Sequence, residues 1–142
     1  MALYFETTVK YSKLQENGKV KKVNEPYLVN ALSFTEAEAK VIEEVTPYIS
    51  GDFTVSAVKK TNIEEVFPST EGDYWYNVKI NFISFDEKTH AEQVTPANYL
   101  VQAPDFEKAL HNFFDIMKGT IMDYIISSIT ETKIMDVLNA DK

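Results

Sequence analysis

Apolar and polar positions follow the same pattern twice along the chain. The run Tyr-Leu-Val-Asn-Ala at 27–31 returns as Tyr-Leu-Val-Gln-Ala at 99–103. Flanking apolar positions also match, although the offset drifts between the two copies. A pattern repeated at a near-constant period indicates a repeated structural unit, because each copy buries equivalent positions. We therefore predict two halves that superpose, with these equivalent pairs: Val9 and Val78, Tyr27 and Tyr99, Val55 and Ile126.

Each copy reads as strand, strand, helix and strand, followed by a short apolar tail. Alternating apolar positions predict the strands, and apolar positions three or four apart predict the helix. Repeat one is expected at about 3–67 and repeat two at about 73–138, within a single domain covering 1–142. In repeat one the strands are expected at 3–13, 20–32 and 53–61, and the tails of the two repeats at 63–67 and 134–138.

The first two strands are expected to form a hairpin. Asn17-Gly18 suits a two-residue turn, because both residues tolerate positive φ. Such a turn would place Val9 opposite Pro26, which conflicts with the apolar alternation. We therefore predict a β-bulge at Pro26, a residue that cannot donate to the strand ladder.

Helix starts are marked in both repeats. Ser33 with Glu36 forms a capping box, and Asp105 takes the equivalent place in repeat two. The helices should bury apolar stripes. The stripes are Ala37, Val41, Val45 and Tyr48 in the first helix, and Ala109, Phe113 and Met117 in the second.

These elements predict an α+β fold built on an internal duplication of the strand-strand-helix-strand unit. One helix stripe and one sheet face per repeat have to be buried. The repeats would form an antiparallel-rich sheet, either six-stranded or in two halves, with the two helices packed on one face.

Composition excludes several classes of function. The chain has a net charge of -8, no cysteine, and only lysine among its 14 basic residues. Without arginine, sequence-specific reading of DNA is not expected, because the planar guanidinium makes the bidentate contacts to guanine. No long apolar run or signal peptide is visible, so we expect a cytoplasmic protein that does not enter a membrane.

Catalytic and metal motifs are missing from the sequence. His90 and His111 have no accompanying nucleophile motif, and the helix carboxylates have the spacing of a solvated face. No glycine-rich phosphate loop occurs among the four glycines. We expect a non-enzymatic protein with no catalytic residues, no metal and no cofactor. A small hydrolase acting through carboxylates is a weaker alternative.

The predicted sheet face away from the helices is polar and aromatic. If Val9 and Val78 point to the core, alternation sends the neighbouring residues to the other face. Such a face could stack a base and neutralise a phosphate, or Trp75 could simply be a core or interface residue. The candidate ligand-binding residues are Tyr4, Lys10, Trp75, Asn77 and Lys79.

The first hairpin is rich in lysine, whereas the second carries Asp86 and Glu87 near its turn. The lysines could contact nucleic-acid phosphates or guard an edge strand against aggregation. The candidate nucleic-acid-binding residues are Lys13, Lys19, Lys21, Lys22, Lys59 and Lys60.

Three further runs resemble an uncharacterised family, a domain of unknown function associated with Bacteroides-type gut bacteria and their phages. The runs are Ala31–Ala39, Ile42–Gly51 with Phe53-Thr-Val, and Lys133–Val137. The resemblance covers nearly the whole chain and implies a phage or mobile-element setting. It implies no activity and no catalytic residues.

Together these features favour a binding protein, phage or mobile-element associated and of a counter-defence type. The expected partner is a small nucleotide-type ligand or a host protein, and a homo-oligomer is one expected assembly. The alternative is an accessory protein that binds single-stranded nucleic acid through the lysine hairpin and Trp75.

Overall fold

A computed structural model describes residues 3–138 of the chain. It confirms the α+β class, with two four-stranded mixed sheets and two α-helices. The chain divides into two compact units. In the described part, unit 1 holds residues 3–61 and 133–138, and unit 2 holds residues 62–132.

Unit 1 is a sheet with the strand order β3-β1-β2-β8. Helix α1 packs on β1, β2 and β3, and a 3-10 turn follows it at Thr46–Tyr48. The elements are β1 Tyr4–Leu14, β2 Val20–Asn30, α1 Phe34–Val45, β3 Phe53–Lys60 and β8 Asp136–Leu138.

Unit 2 is a sheet with the strand order β4-β6-β5-β7. Helix α2 packs on β5, β6 and β7. The elements are β4 Ile63–Phe67, β5 Tyr74–Phe85, β6 Glu92–Ala103, α2 Phe106–Met117 and β7 Asp123–Glu131.

The short apolar tails form the fourth strand of each sheet. β4 follows β3 in sequence but pairs in parallel with β6, in unit 2. β8 follows β7 but pairs in parallel with β2, in unit 1. Each structural unit therefore contains the tail of the other sequence repeat. The two sheets have equivalent strand orders, and a duplication as their origin stays a prediction.

The strand register changes the equivalence predicted between the repeats. Tyr27 pairs with Thr7, and Tyr99 pairs with Val78, so Val78 is the counterpart of Thr7. Val9 pairs with Val55, and Ile80 pairs with Ile126. The prediction of Val9 on Val78 was therefore wrong, and Val9 corresponds to Ile80. Alternation alone could not detect this shift by two residues, because it leaves every side chain on the same face.

The bulge predicted at Pro26 is also absent, since β1 and β2 pair without a register shift from Tyr4 to Leu14. The extra residue lies in the turn instead. Gly18 N donates to Gln15 O at 3.0 Å, Gln15 N donates to Lys19 O at 2.8 Å, and Gly18 has φ 81°. This is a five-residue loop whose glycine takes the left-handed conformation, and it places Glu25 opposite Val9.

The helix caps were predicted correctly. Ser33 Oγ accepts from Glu36 N at 3.1 Å, and Asp105 Oδ1 accepts from Lys108 N at 2.8 Å. The stripe residues of both helices are buried except Tyr48, which is 86% exposed. The α-helix ends at Val45 and the 3-10 turn with Pro47 breaks the helical period, so Tyr48 points to solvent.

Each unit has its own hydrophobic core between sheet and helix. In unit 1 the core includes Phe5, Val9 and Val29 from the sheet and Ala37 and Val41 from α1. In unit 2 its main cluster includes Val78, Ile80 and Val101 with Phe113 and Met117 of α2. The helix-facing sides of both sheets are therefore occupied over most of their length.

Candidate functional site

Both long hairpins extend past the last paired residue of the neighbouring strand. β3 pairs with β1 only as far as Tyr11, and β7 pairs with β5 only as far as Ile83. Beyond these points each hairpin is a two-stranded ribbon. We call residues 12–22 the basic arm and residues 84–93 the acidic arm.

The basic arm carries four lysines and one glutamate, all exposed: Lys13, Lys19, Lys21, Lys22 and Glu16. Ser12 pairs with Lys22, and Lys13 pairs with Lys21, so the lysines occupy both faces of the ribbon. No ion pair joins Lys19, Lys21 or Lys22 to another residue within 3–138. Three of the four ammonium groups are thus free for an external anion.

The acidic arm has the same ribbon structure and the opposite charge. It carries Asp86, Glu87 and Glu92 against Lys88 alone. Asp86 accepts hydrogen bonds at Oδ1 from the backbone N–H of Lys88 at 2.8 Å and of Thr89 at 3.3 Å, which fixes the turn. The charge contrast expected from the sequence is therefore present on two equivalent arms.

A polar cluster lies at the root of the basic arm, on the helix-facing side of the sheet. The carboxylate oxygen Oε1 of Glu25 accepts from Tyr11 Oη at 2.9 Å and from Tyr27 Oη at 3.2 Å. Its other oxygen lies 3.8 Å from Lys13 Nζ. Glu25 is only 8% exposed, so these partners compensate the burial of its charge.

The two tyrosines of this cluster are held in their neutral form. Burial and the hydrogen bond to Glu25 raise the pKa of Tyr11 to about 12. Burial, together with the charge of Glu25, raises the pKa of Tyr27 as well. A phenolate for nucleophilic or base chemistry is therefore disfavoured here near neutral pH.

Unit 2 has no such cluster at the equivalent position. The register places Ala97 where unit 1 has Glu25, and Phe82 where unit 1 has Tyr11. Since the same sheet forms without the carboxylate, the fold itself does not require Glu25. Sequence reasoning missed the cluster because the two-residue turn expected at Asn17-Gly18 would pair Glu25 with Lys10, on the sheet face away from the core.

The predicted ligand-binding residues lie on β1 of unit 1 and β5 of unit 2. Trp75 is 2% exposed, so the expectation of an accessible ring on an open sheet face was wrong. Tyr4 and Lys10 lie six residues apart on β1 and therefore about 20 Å apart along the strand. Tyr4 is the counterpart of Trp75, and the counterpart of Lys10 is Asn81 rather than Lys79.

Asn77 and Lys79 follow Trp75 on the same face of β5. Asn77 Nδ2 donates to Asn98 Oδ1 at 3.4 Å, while its own Oδ1 is buried and accepts no hydrogen bond within the described chain. Lys79 is exposed. Only Lys79 of these three presents an accessible charge.

The predicted nucleic-acid-binding lysines also fall into two groups. Lys59 pairs with Glu6 and Lys60 with Phe5, near the start of β1. The basic arm lies at the other end of β1. Lys13 is about seven strand residues from Glu6, which corresponds to about 20 Å along the strand. Lys59 and Lys60 are therefore not part of the arm.

Unit 2 contains an open cleft of about 520 Å³. Its lining includes the apolar residues Phe67, Val101 and Ile116 and the polar residues Asn112 and Asp115. The Gln102 side chain fixes the adjacent loop, accepting from Ser69 N at 2.8 Å and donating to Gly72 O at 2.9 Å. This cleft has both apolar and hydrogen-bonding surface for a small ligand.

No group of three or more histidine, aspartate or glutamate residues within 3–138 could hold a metal ion. No helix in the range is long and apolar enough to cross a membrane.

Comparison with known proteins identifies the family. The chain belongs to the family described as a domain of unknown function (DUF4494), which matches residues 3–140. The match confirms the expectation of an uncharacterised domain over nearly the whole chain. No curated protein and no solved structure matches the chain.

Proposed function

We propose that this DUF4494 protein is a non-enzymatic binding protein that holds single-stranded nucleic acid with its basic arm. The supporting observation is the contrast between the arms: equivalent ribbons carry four lysines against one glutamate in unit 1, and three carboxylates against one lysine in unit 2. Because the fold tolerates either charge, the lysines are not needed to form the ribbon. We therefore assign to these lysines the binding of an anionic partner.

Lysine ammonium groups bind phosphates as point charges and do not read base edges in the bidentate manner of arginine. The buried ring of Trp75 supplies no stacking platform. The binding should therefore follow the phosphate backbone, with little dependence on base sequence and a strong dependence on salt.

The test is titration of a labelled single-stranded oligonucleotide at about 50 and about 200 mM salt. Lys19→Gln/Lys21→Gln removes two charges from the arm, and Lys59→Gln/Lys60→Gln removes two charges elsewhere. The arm variant should weaken binding and flatten the salt slope by about 0.7 per lost phosphate contact, whereas the control should not. Equal effects of both variants, or no binding by the wild type at low salt, would refute the proposal.

A second candidate function, small-ligand binding, is favoured by the cleft of unit 2. The carboxylate of Asp115, which lines the cleft, lies 3.2 Å from Lys118 Nζ, so the nearby cation is already paired. A nucleotide phosphate would meet a carboxylate and no lysine in the lining of this cleft, so a neutral nucleoside fits it better. Adenosine should therefore shift the Asn112 side-chain amide resonance at lower concentration than AMP, and the reverse order would contradict the assignment.

The phage or mobile-element setting, the counter-defence role and a host-protein partner are implied only by the family resemblance. A cytoplasmic location rests on the sequence alone. These statements stay predictions.

A further inference from the structure

Both arms expose apolar side chains beside their charges. Leu14 is 70% and Val20 is 65% exposed, and the two form a cross-strand pair on the basic arm. Phe85, which is 65% exposed, is the counterpart of Leu14 on the acidic arm. Large apolar side chains exposed on a charged ribbon indicate a contact surface.

Charge and apolar groups share one face on each arm. On the basic arm, Lys22 lies two residues from Val20 and therefore on the same face as the Leu14–Val20 pair. On the acidic arm, Phe85 is paired directly with Glu92. One arm thus presents an apolar pair beside a cation, and the other presents an aromatic ring beside an anion.

From this complementarity we propose that the basic arm of one copy docks on the acidic arm of a second copy of the chain. Phe85 of one copy would pack on Leu14 and Val20 of the other, with Lys22 beside Glu92. The contact joins two different surfaces in a head-to-tail manner, so the first copy keeps its acidic arm free and the second copy keeps its basic arm free.

The net charge of -8 makes two copies repel one another at long range. Screening limits this repulsion to about 8 Å at physiological salt, so the local charges of the arms decide the contact. Electrostatic complementarity of this kind sets specificity and orientation, while the apolar side chains supply the buried area.

Charge exchange between the arms tests the docking directly. Lys19→Glu/Lys21→Glu/Lys22→Glu leaves both arms negative, and Glu87→Lys/Glu92→Lys leaves both arms positive. Asp86 is kept because it fixes its turn. For each variant alone, the dissociation constant of self-association should be at least about ten times that of the wild type, because like charges would face each other. An equimolar mixture of the two variants should associate again.

Sedimentation velocity at about 0.1 mM protein, where weak interfaces become populated, measures the association. Wild-type protein that stays monomeric at low salt would overturn the proposal. The same conclusion would follow if either variant associated as the wild type does, or if the mixture failed to associate. Phe85→Ser adds an uncharged check and should weaken association without altering either arm's charge.

The outcome is separable from nucleic-acid binding. The Glu87→Lys/Glu92→Lys variant retains the basic arm and should still bind the oligonucleotide, although it does not self-associate. Wild-type protein that binds oligonucleotide but remains monomeric would refute the docking and leave the proposed function intact. Wild-type protein that associates through its arms but binds no oligonucleotide would refute the proposed function and leave the docking intact.

Discussion

Thr132 donates twice to the carbonyl oxygen of Trp75, through its backbone N–H at 2.8 Å and its hydroxyl at 2.8 Å. Thr61 makes the same two bonds to the carbonyl of Tyr4, at 3.0 and 2.8 Å. The two threonines are the residues at which the chain leaves unit 2 and unit 1. Each threonine therefore fixes the end of an edge strand to the first part of the adjacent strand.

Replacing either threonine by valine should destabilise the protein. Thr132→Val and Thr61→Val each remove one hydroxyl hydrogen bond and keep the side-chain shape, so each should cost about 0.5–1.5 kcal/mol. Urea unfolding measures the change. Thr130→Val, at an exposed position of β7, is the matched control and should stay within about 0.5 kcal/mol of the wild type.

The helix caps give a second stability prediction. Ser33→Ala and Asp105→Ala should each cost about 0.5–2 kcal/mol, because each leaves a backbone N–H of the first helical turn without its side-chain acceptor. Ser50→Ala, exposed and outside the helix, is the control. Unfolding midpoints that do not differ from this control would show that the caps contribute nothing.

Trp75→Ala should reduce stability on the scale of a core substitution, about 3–5 kcal/mol. Its neighbour Tyr74 is 49% exposed, so Tyr74→Ala should cost much less. Thermal and urea unfolding compare the two variants. A Trp75 variant as stable as the Tyr74 variant would mean that the ring is not buried in solution.

Alkaline pH should reduce the stability that the polar cluster at the root of the basic arm contributes. Folding raises the pKa of Tyr11 from 10.0 to about 12, so the folded state keeps a proton that the unfolded state loses. The contribution of Tyr11 to stability is complete below pH 10 and is lost as pH rises towards 12. Tyr11→Phe should therefore lose less stability than the wild type between these values. Parallel curves of unfolding free energy against pH for the two proteins would contradict the shift.

Local sequence chemistry predicted the elements well. Serine and aspartate caps, the helical stripes and the alternating strands depend on neighbours within a few residues, and they appear close to their expected bounds. The α+β class follows directly from their order. Tyr48 was misplaced because a three-residue 3-10 turn with Pro47 interrupts the period that the stripe assumes.

Pairing between distant segments was harder to predict. The sequences of β4 and β8 do not indicate which sheet each strand joins. Their parallel pairings with β6 and β2 depend on the tertiary structure. The polar cluster at the root of the basic arm was missed for a related reason. Glu25 interrupts the apolar alternation of β2, so the alternation does not predict that it is buried. Only the strand register shows that Tyr11 and Tyr27 lie beside it and donate hydrogen bonds to it.

The position of β8 has a consequence for how the protein is made. Unit 2 occupies one uninterrupted section of the chain, so its sheet can assemble once β7 has been synthesised. The sheet of unit 1 starts at Tyr4 but waits for β8 to occupy its place beside β2. That edge of β2 therefore stays open while unit 2 is synthesised, and an open edge readily pairs with other chains. Unit 1 is thus begun before unit 2 and completed after it.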